Sequence, residues 1–274
     1  MTDFVKIAAI AAVFLTGNAA ERIAAEQSPI IVEIETPLDS PHPLQGYMRQ
    51  TTGISPSPAV VLLHSCSGDW RRLDERWGKR IASWGYVTLT VDSFGPRGLS
   101  NCSGSAPDDL ALDAYRALNF LVREPFVDPD RVAVLGFALG GRLALMSVEH
   151  GAIEHLAPNK FRAAVAFYPP CRRFKGDMTV TTLILIGERD DWSSAEACRD
   201  MVDGRDEWGI SRQRIEHAPV MLIVYPGAYH AFDAPNLDIP REVSGHHLEF
   251  NQSADQAAKA LREFLDVTIG QKAQ

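Results

Sequence analysis

The chain has 274 residues, 46% of them hydrophobic and 23% charged, which suits one domain with a full core. Its formal net charge is -8, its pI is about 5.5, and its Lys and Arg are scattered. That pattern excludes the clustered cations a nucleic-acid partner requires, and acidity of this kind names no substrate.

Lys6 precedes an apolar run, Ile7–Leu15, and small residues follow at Thr16–Ala20. The run is shorter than the roughly 20 residues that cross a bilayer. A charged start, a short apolar core and a small-residue exit read as a signal peptide over residues 1–20. Residues 21–274 then form the exported domain, periplasmic or secreted, with no membrane contact after removal. The competing reading is a leader helix that stays on the protein.

Ile30–Thr36 alternates apolar and polar residues, the mark of a half-exposed strand. Ala59–His64 is a continuous apolar run of the kind buried in parallel sheets. Asp69–Gly85 has helical spacing, with Leu73, Trp77, Ile81 and Trp84 on one face and Gly85 placed to stop it. Tyr86–Phe94 reads as a strand, Asp108–Glu124 as an amphipathic helix, and Arg131–Phe137 as a strand that opens a helix at once. Three further strands lie in FRAAVAFYPP, TTLILIGERDD and VMLIVYPGAYHAF, and Gln252–Leu265 closes with a helix. This alternation predicts an α/β fold: one domain, a mostly parallel central sheet, and helices on both faces.

Four cysteines, Cys66, Cys102, Cys171 and Cys198, allow two disulfides in an oxidising compartment. Pairs Cys66–Cys102 and Cys171–Cys198 would each join segments that follow strands on one rim. No C-x-x-C pair suggests zinc. His246 and His247 are adjacent on a polar loop, a spacing poorly suited to sharing one ion. Neither a metal nor an organic cofactor is expected.

Ligands of such sheets sit beyond the carboxyl ends of the strands. There the chain places Cys66, Arg97, Ala138, Asp190 and His230 in turn. GFALGG has the form of a nucleophile elbow, with Gly136 and Gly140 flanking position 138. That position holds Ala138, where Ser or Cys is expected. The order of position 138, Asp190 and His230 is nucleophile, acid, base. His230 would relay the proton and Asp190 would set its tautomer, with Asp191 the competing acid. The N–H groups of Leu139 and Cys66 would form an oxyanion hole.

G-F-A-L-G-G, the G-E-R-D turn and Y-P-G-A-Y-H-A-F together resemble the dienelactone hydrolase family of α/β-hydrolases, over most of Ala59–Leu265. The resemblance implies hydrolysis of small-molecule carboxylic esters or lactones, with Asp190 and His230 as acid and base. It also implies oxyanion donors at Leu139 and Cys66, and a substrate-carboxylate contact near Arg97. Trp192 and Tyr229 are candidates for the pocket lining. The family carries Ser or Cys where this chain has Ala138. Three explanations stand: a deliberate replacement, a natural pseudoenzyme that binds ligand without cleaving it, or a nucleophile supplied by Ser65, Cys66 or Ser67. Oligomeric state has no signal in the sequence.

Overall fold

The computed structural model describes residues 28–35, 43–51, 56–102, 110–205 and 217–270. The expected signal peptide at residues 1–20 lies outside them, as do the first residues of the helix expected from Asp108.

Continuous aliphatic and β-branched runs make the middle of the sheet. β3 (Ser57–Leu63), β4 (Val87–Asp92), β6 (Ala163–Phe167) and β7 (Thr182–Gly187) are buried at every residue. β5 (Val127–Phe137) is buried from Val132 onward. Strands covered on both faces have no solvent side to make polar, so β3, β6 and β7 lack the alternation of a half-exposed strand, whereas β4 alternates Val and Leu with buried Thr88 and Thr90. β8 (Val220–Tyr225) is the outer strand on one side and is partly exposed. On the other side lie β2 (Leu44–Arg49) and β1 (Ile30–Ile34), both antiparallel to their neighbours. The order is β1-β2-β4-β3-β5-β6-β7-β8, and every pairing from β4 to β8 is parallel.

The expected helix from Asp69 forms as α1 (Trp70–Leu73), a π turn (Asp74–Gly78) and α2 (Lys79–Ser83). Leu73, Trp77 and Ile81 are buried as the spacing predicts. α3 (Leu110–Leu121) buries Leu110, Ala114, Ala117, Leu118 and Leu121. α4 (Leu139–Met146) starts directly after β5, and α5 (Ala152–Leu156) follows it. α6 (Ala195–Asp203) and α7 (Ser253–Thr268) complete the helices, with a small hairpin of β9 (Arg241–Val243) and β10 (His246–Leu248) between β8 and α7.

Sheet order and handedness place these helices. The step from β3 to β4 runs one way across the sheet; the steps from β4 to β5, β6 and β7 run the other way. Right-handed crossovers then put α1 and α2 on one face and α3 to α6 on the opposite face. The direction reverses at β3, which opens a crevice beyond the carboxyl ends of β3 and β5.

One buried ion pair ties the antiparallel edge to this core. Arg49 on β2 donates to Asp74 in the π turn, at 2.6 Å from the terminal nitrogen and 3.0 Å from Nε. Thr90 on β4 donates to the same carboxylate at 3.3 Å. Burial pushes the Asp74 carboxyl above its ordinary value, and Arg49 opposes that shift. Among the described residues no helix is long and apolar enough to cross a membrane.

Candidate active site

Position 138 has the geometry of an elbow. Ala138 sits at φ 50 and ψ -110, a region that L residues rarely enter, between the last residue of β5 and the first of α4. Its N–H donates to the Phe167 carbonyl at 3.0 Å and its carbonyl accepts from the Arg142 N–H at 2.9 Å. The turn closes so tightly that side chains are excluded around it. A Cβ on Gly136 would lie 1.9 Å from the Gly140 oxygen, and one on Gly140 would lie 2.2 Å from the Leu63 oxygen. Helix α4 therefore lies directly on the ends of β3 and β5. Backbone strain of this kind costs on the order of 1–3 kcal/mol and persists only where packing imposes it.

Leu139 opens α4, so its N–H falls in the first turn, where no preceding helical carbonyl exists. Cys66 lies in the turn after β3. Neither the Leu139 N–H nor the Cys66 N–H has a hydrogen-bond acceptor among the described residues. The turn bearing Cys66 is held from two sides. Cys66 is disulfide-bonded to Cys102, and its carbonyl accepts from the Cys102 N–H at 3.0 Å. His64, buried at the end of β3, fixes the other side. The Ser93 N–H can only donate, so its 3.2 Å contact makes Nε2 of His64 the acceptor. Nδ1 then carries the proton and donates to the Ser65 carbonyl at 2.8 Å. Burial lowers the His64 pKa, in keeping with a neutral ring.

Asp190 and His230 meet across the neighbouring loops. Nδ1 of His230 lies 2.8 Å from Oδ2 of Asp190, and both side chains are buried. The other oxygen of Asp190 accepts from the backbone N–H groups of Trp192 (3.0 Å) and Ser193 (2.7 Å). Asp191, the competing acid, points elsewhere: it accepts from the His247 N–H at 3.2 Å and lies 3.6 Å from Nδ1 of His246. The His230 ring packs on Tyr168, centroids 4.7 Å apart, and Tyr168 follows the residue whose carbonyl holds Ala138.

Beneath His230 lies a polar cluster that the sequence did not announce. Asp233 is buried, with one oxygen accepting from the Tyr168 hydroxyl at 2.8 Å and the other from Nε1 of Trp77 at 2.7 Å. Arg76 stands 3.4 Å from that second oxygen. The π turn carries Arg76 and Trp77 side by side onto the same carboxylate. Burial, reinforced by Asp233, drives the Tyr168 hydroxyl well above its usual pKa, so it stays a donor.

The remaining expectations divide. Both disulfide pairs form as expected, Cys66–Cys102 and Cys171–Cys198, although Cys198 lies on α6 rather than in a loop. The bond removes the Cys66 thiol as a nucleophile in this state. Arg97, expected to meet substrate, is held by the buried carboxylate of Asp113 at 2.7 and 3.0 Å and by the Ser93 carbonyl at 2.7 Å. That carboxylate, on the adjacent helix, is shared with Arg116 at 2.7 Å, a pairing the loop sequence alone could not reveal. Trp192 contacts both His230 and His246, at 5.3 and 4.6 Å between centroids. Tyr229 packs on His247 at 4.1 Å. His246 and His247 belong to the β9–β10 hairpin and not to a loop. Among the described residues no group of His, Cys, Asp and Glu is arranged to hold a metal.

Known proteins were compared with this fold and geometry. The model of the dienelactone hydrolase family matches residues 44–267. Esterase FrsA of Klebsiella pneumoniae (strain 342) is 27% identical over 156 residues, covering 56% of this chain and 35% of the esterase. Lipase 1 of a Moraxella species is 27% identical over 119 residues, 42% of this chain and 33% of the lipase. The chain thus spans about a third of those two curated relatives. A Bradyrhizobium protein named "Probable 2-oxo-3-(5-oxofuran-2-ylidene)propanoate lactonase" is 24% identical over 187 residues, 60% of this chain and 69% of that protein. Among solved structures, a dienelactone hydrolase-like promiscuous phosphotriesterase from metagenomic libraries superposes with TM-score 0.64 at 20% identity, covering 89% of this chain and all of the other. Thermogutta terrifontis esterase 2 superposes with TM-score 0.61 at 18% identity, covering 88% and 92%. At such identities the structural likeness speaks for the α/β-hydrolase fold alone.

Proposed function

This chain belongs to the dienelactone hydrolase family, and from that premise we propose that its site is built to hydrolyse a small carboxylic ester or lactone through a nucleophile, His230 and Asp190. Ala138 occupies the nucleophile position, so the chain as written binds substrate and turns it over very slowly. The observation that carries this reading is the Asp190–His230 hydrogen bond at 2.8 Å, maintained beside an elbow that keeps its strained backbone without a reactive side chain.

The steps follow from the geometry. A substrate carbonyl oxygen would accept from the unpartnered N–H groups of Leu139 and Cys66. With Ser or Cys at 138, His230 would take the nucleophile's proton and deliver it to the leaving group. Asp190 would keep the proton of His230 on Nδ1 and leave Nε2 facing the reaction. A methyl group cannot attack a carbonyl, so only polarisation and activation of water remain. Two disulfides support export to an oxidising compartment as part of the same reading.

The test is an assay on short nitrophenyl esters of the chain as written beside Ala138→Ser and Ala138→Cys. Losing the nucleophile from an intact triad costs up to about 10⁶ in kcat. A gain of several orders of magnitude in at least one variant is expected. If both revertants fold, bind ester and stay inactive, the site serves a non-catalytic ligand-binding protein.

A further inference from the structure

The base is read above as held by Asp190 alone, yet one hydrogen bond fixes one atom of a ring. It leaves the imidazole free to rock about that bond, and a tilt carries Nε2 away from the reacting atom. Tyr168 packs against the ring, centroids 4.7 Å apart. The second aromatic contact is Trp192, at 5.3 Å between centroids, which is 41% exposed and so is not locked by a surrounding core. Something must hold Trp192 for it to hold His230.

That support is the β9–β10 hairpin. The His246 ring stacks on Trp192 at 4.6 Å with planes 21° apart. The hairpin is anchored to the two loops that carry the acid and the base. Its His247 N–H donates to Asp191 at 3.2 Å, Nδ1 of His246 lies 3.6 Å from the same carboxylate, and the backbones of Leu248 and His230 pair in a parallel bridge. His247 packs on Tyr229, the residue before the base, and its Nε2 lies 3.0 Å from Glu249.

We propose that His246 and Trp192 are positioning residues for His230, and that Asp190-Asp191-Trp192 works as one device. Asp190 fixes Nδ1 of the base, Asp191 fixes the hairpin, and Trp192 transmits the hairpin's position to the plane of the base. This assigns Asp191 and His246 tasks that the hydrolytic reading leaves open, and it rests on that reading only in calling His230 the base.

The experiment has two arms. In the chain as written, proton NMR follows the hydrogen-bonded Nδ1 proton of His230, identified by its loss in His230→Gln. Trp192→Ala, His246→Ala and Asp191→Ala should broaden or abolish that resonance through faster exchange with water. Trp192→Phe and His246→Phe should keep it, because a ring is still present. Asp191→Asn should keep it, because its side-chain oxygen still accepts from His247. In the Ala138→Ser background, Trp192→Ala and His246→Ala should lower kcat by about 10- to 100-fold, the scale of a small misplacement of a catalytic group, with KM changed far less. An unaltered resonance in Trp192→Ala and His246→Ala overturns the proposal. If Ala138→Ser hydrolyses no ester, the hydrolytic reading fails, and the NMR arm still decides whether the hairpin holds the ring.

Discussion

On the β7–β8 side of the crevice, the two buried carboxylates are fully engaged. Asp190 accepts three hydrogen bonds and Asp233 accepts two beside an arginine. On the β3–β5 side, the N–H groups of Cys66 and Leu139 have no acceptor among the described residues, and the residue before Leu139 ends in a methyl. The first half would hold its shape with the crevice empty. The second half has rigid walls, set by glycine contacts, a disulfide and His64, around donors that await an oxygen from outside. Holding such donors fixed before the reaction is what makes them useful to a developing oxyanion. On the proposed reading, the half that carries position 138 lacks one reactive group and keeps its frame.

Three substitutions sharpen that contrast. Asp233→Ala should be the most damaging, because it leaves the Tyr168 hydroxyl, the Trp77 N–H and Arg76 without their shared acceptor. Each buried donor left without its acceptor costs about 1–3 kcal/mol, and denaturant unfolding would show the loss as a lower midpoint. A loss below about 1 kcal/mol would mean that the acid–base half is not built as described. Ala138→Gly should move the other way. Glycine enters positive φ freely, so relief of the strain at φ 50 should stabilise the chain by about 1 kcal/mol. No gain would show that the elbow is unstrained in solution.

The smallest effect is one of pH. Burial holds the His64 pKa below its ordinary 6.5, so on acidification the unfolded chain binds this proton before the folded one does. The stability His64 contributes is complete above about pH 6.5 and falls as pH drops below it. His64→Gln should flatten the decline of Tm between about pH 7 and pH 5 relative to the parent. Equal slopes in both proteins would show that His64 is not held neutral.

Sequence carried far in the sheet and only part of the way in the site. Continuous apolar runs marked β3, β6 and β7, because burial on both faces favours them. Asp190, His230 and the elbow were legible because each follows directly after a strand, where chain order and spatial order agree. β2 was not read, since Gln45, Gly46 and Arg49 disguise it. Yet Gly46 is there because a Cβ would lie 2.8 Å from the Thr90 oxygen, and Arg49 because Asp74 awaits it. The β9–β10 hairpin was missed although its turn signal was present: Ser244 and Gly245 both take positive φ. Its strands are three residues each, too short for a pattern. The pairing of Arg97 with Asp113 was not legible, because the carboxylate is 16 residues away on a helix and only the fold brings the two together.

The elbow's strain also bears on descent. Gly136 and Gly140 impose the backbone at 138 through contacts with neighbouring strands, and that conformation does not depend on what the side chain does there. An alanine codon becomes a serine codon by exchange of its first base alone. One such exchange would place a serine at a position whose backbone already has the elbow's geometry, with no change required elsewhere in the scaffold.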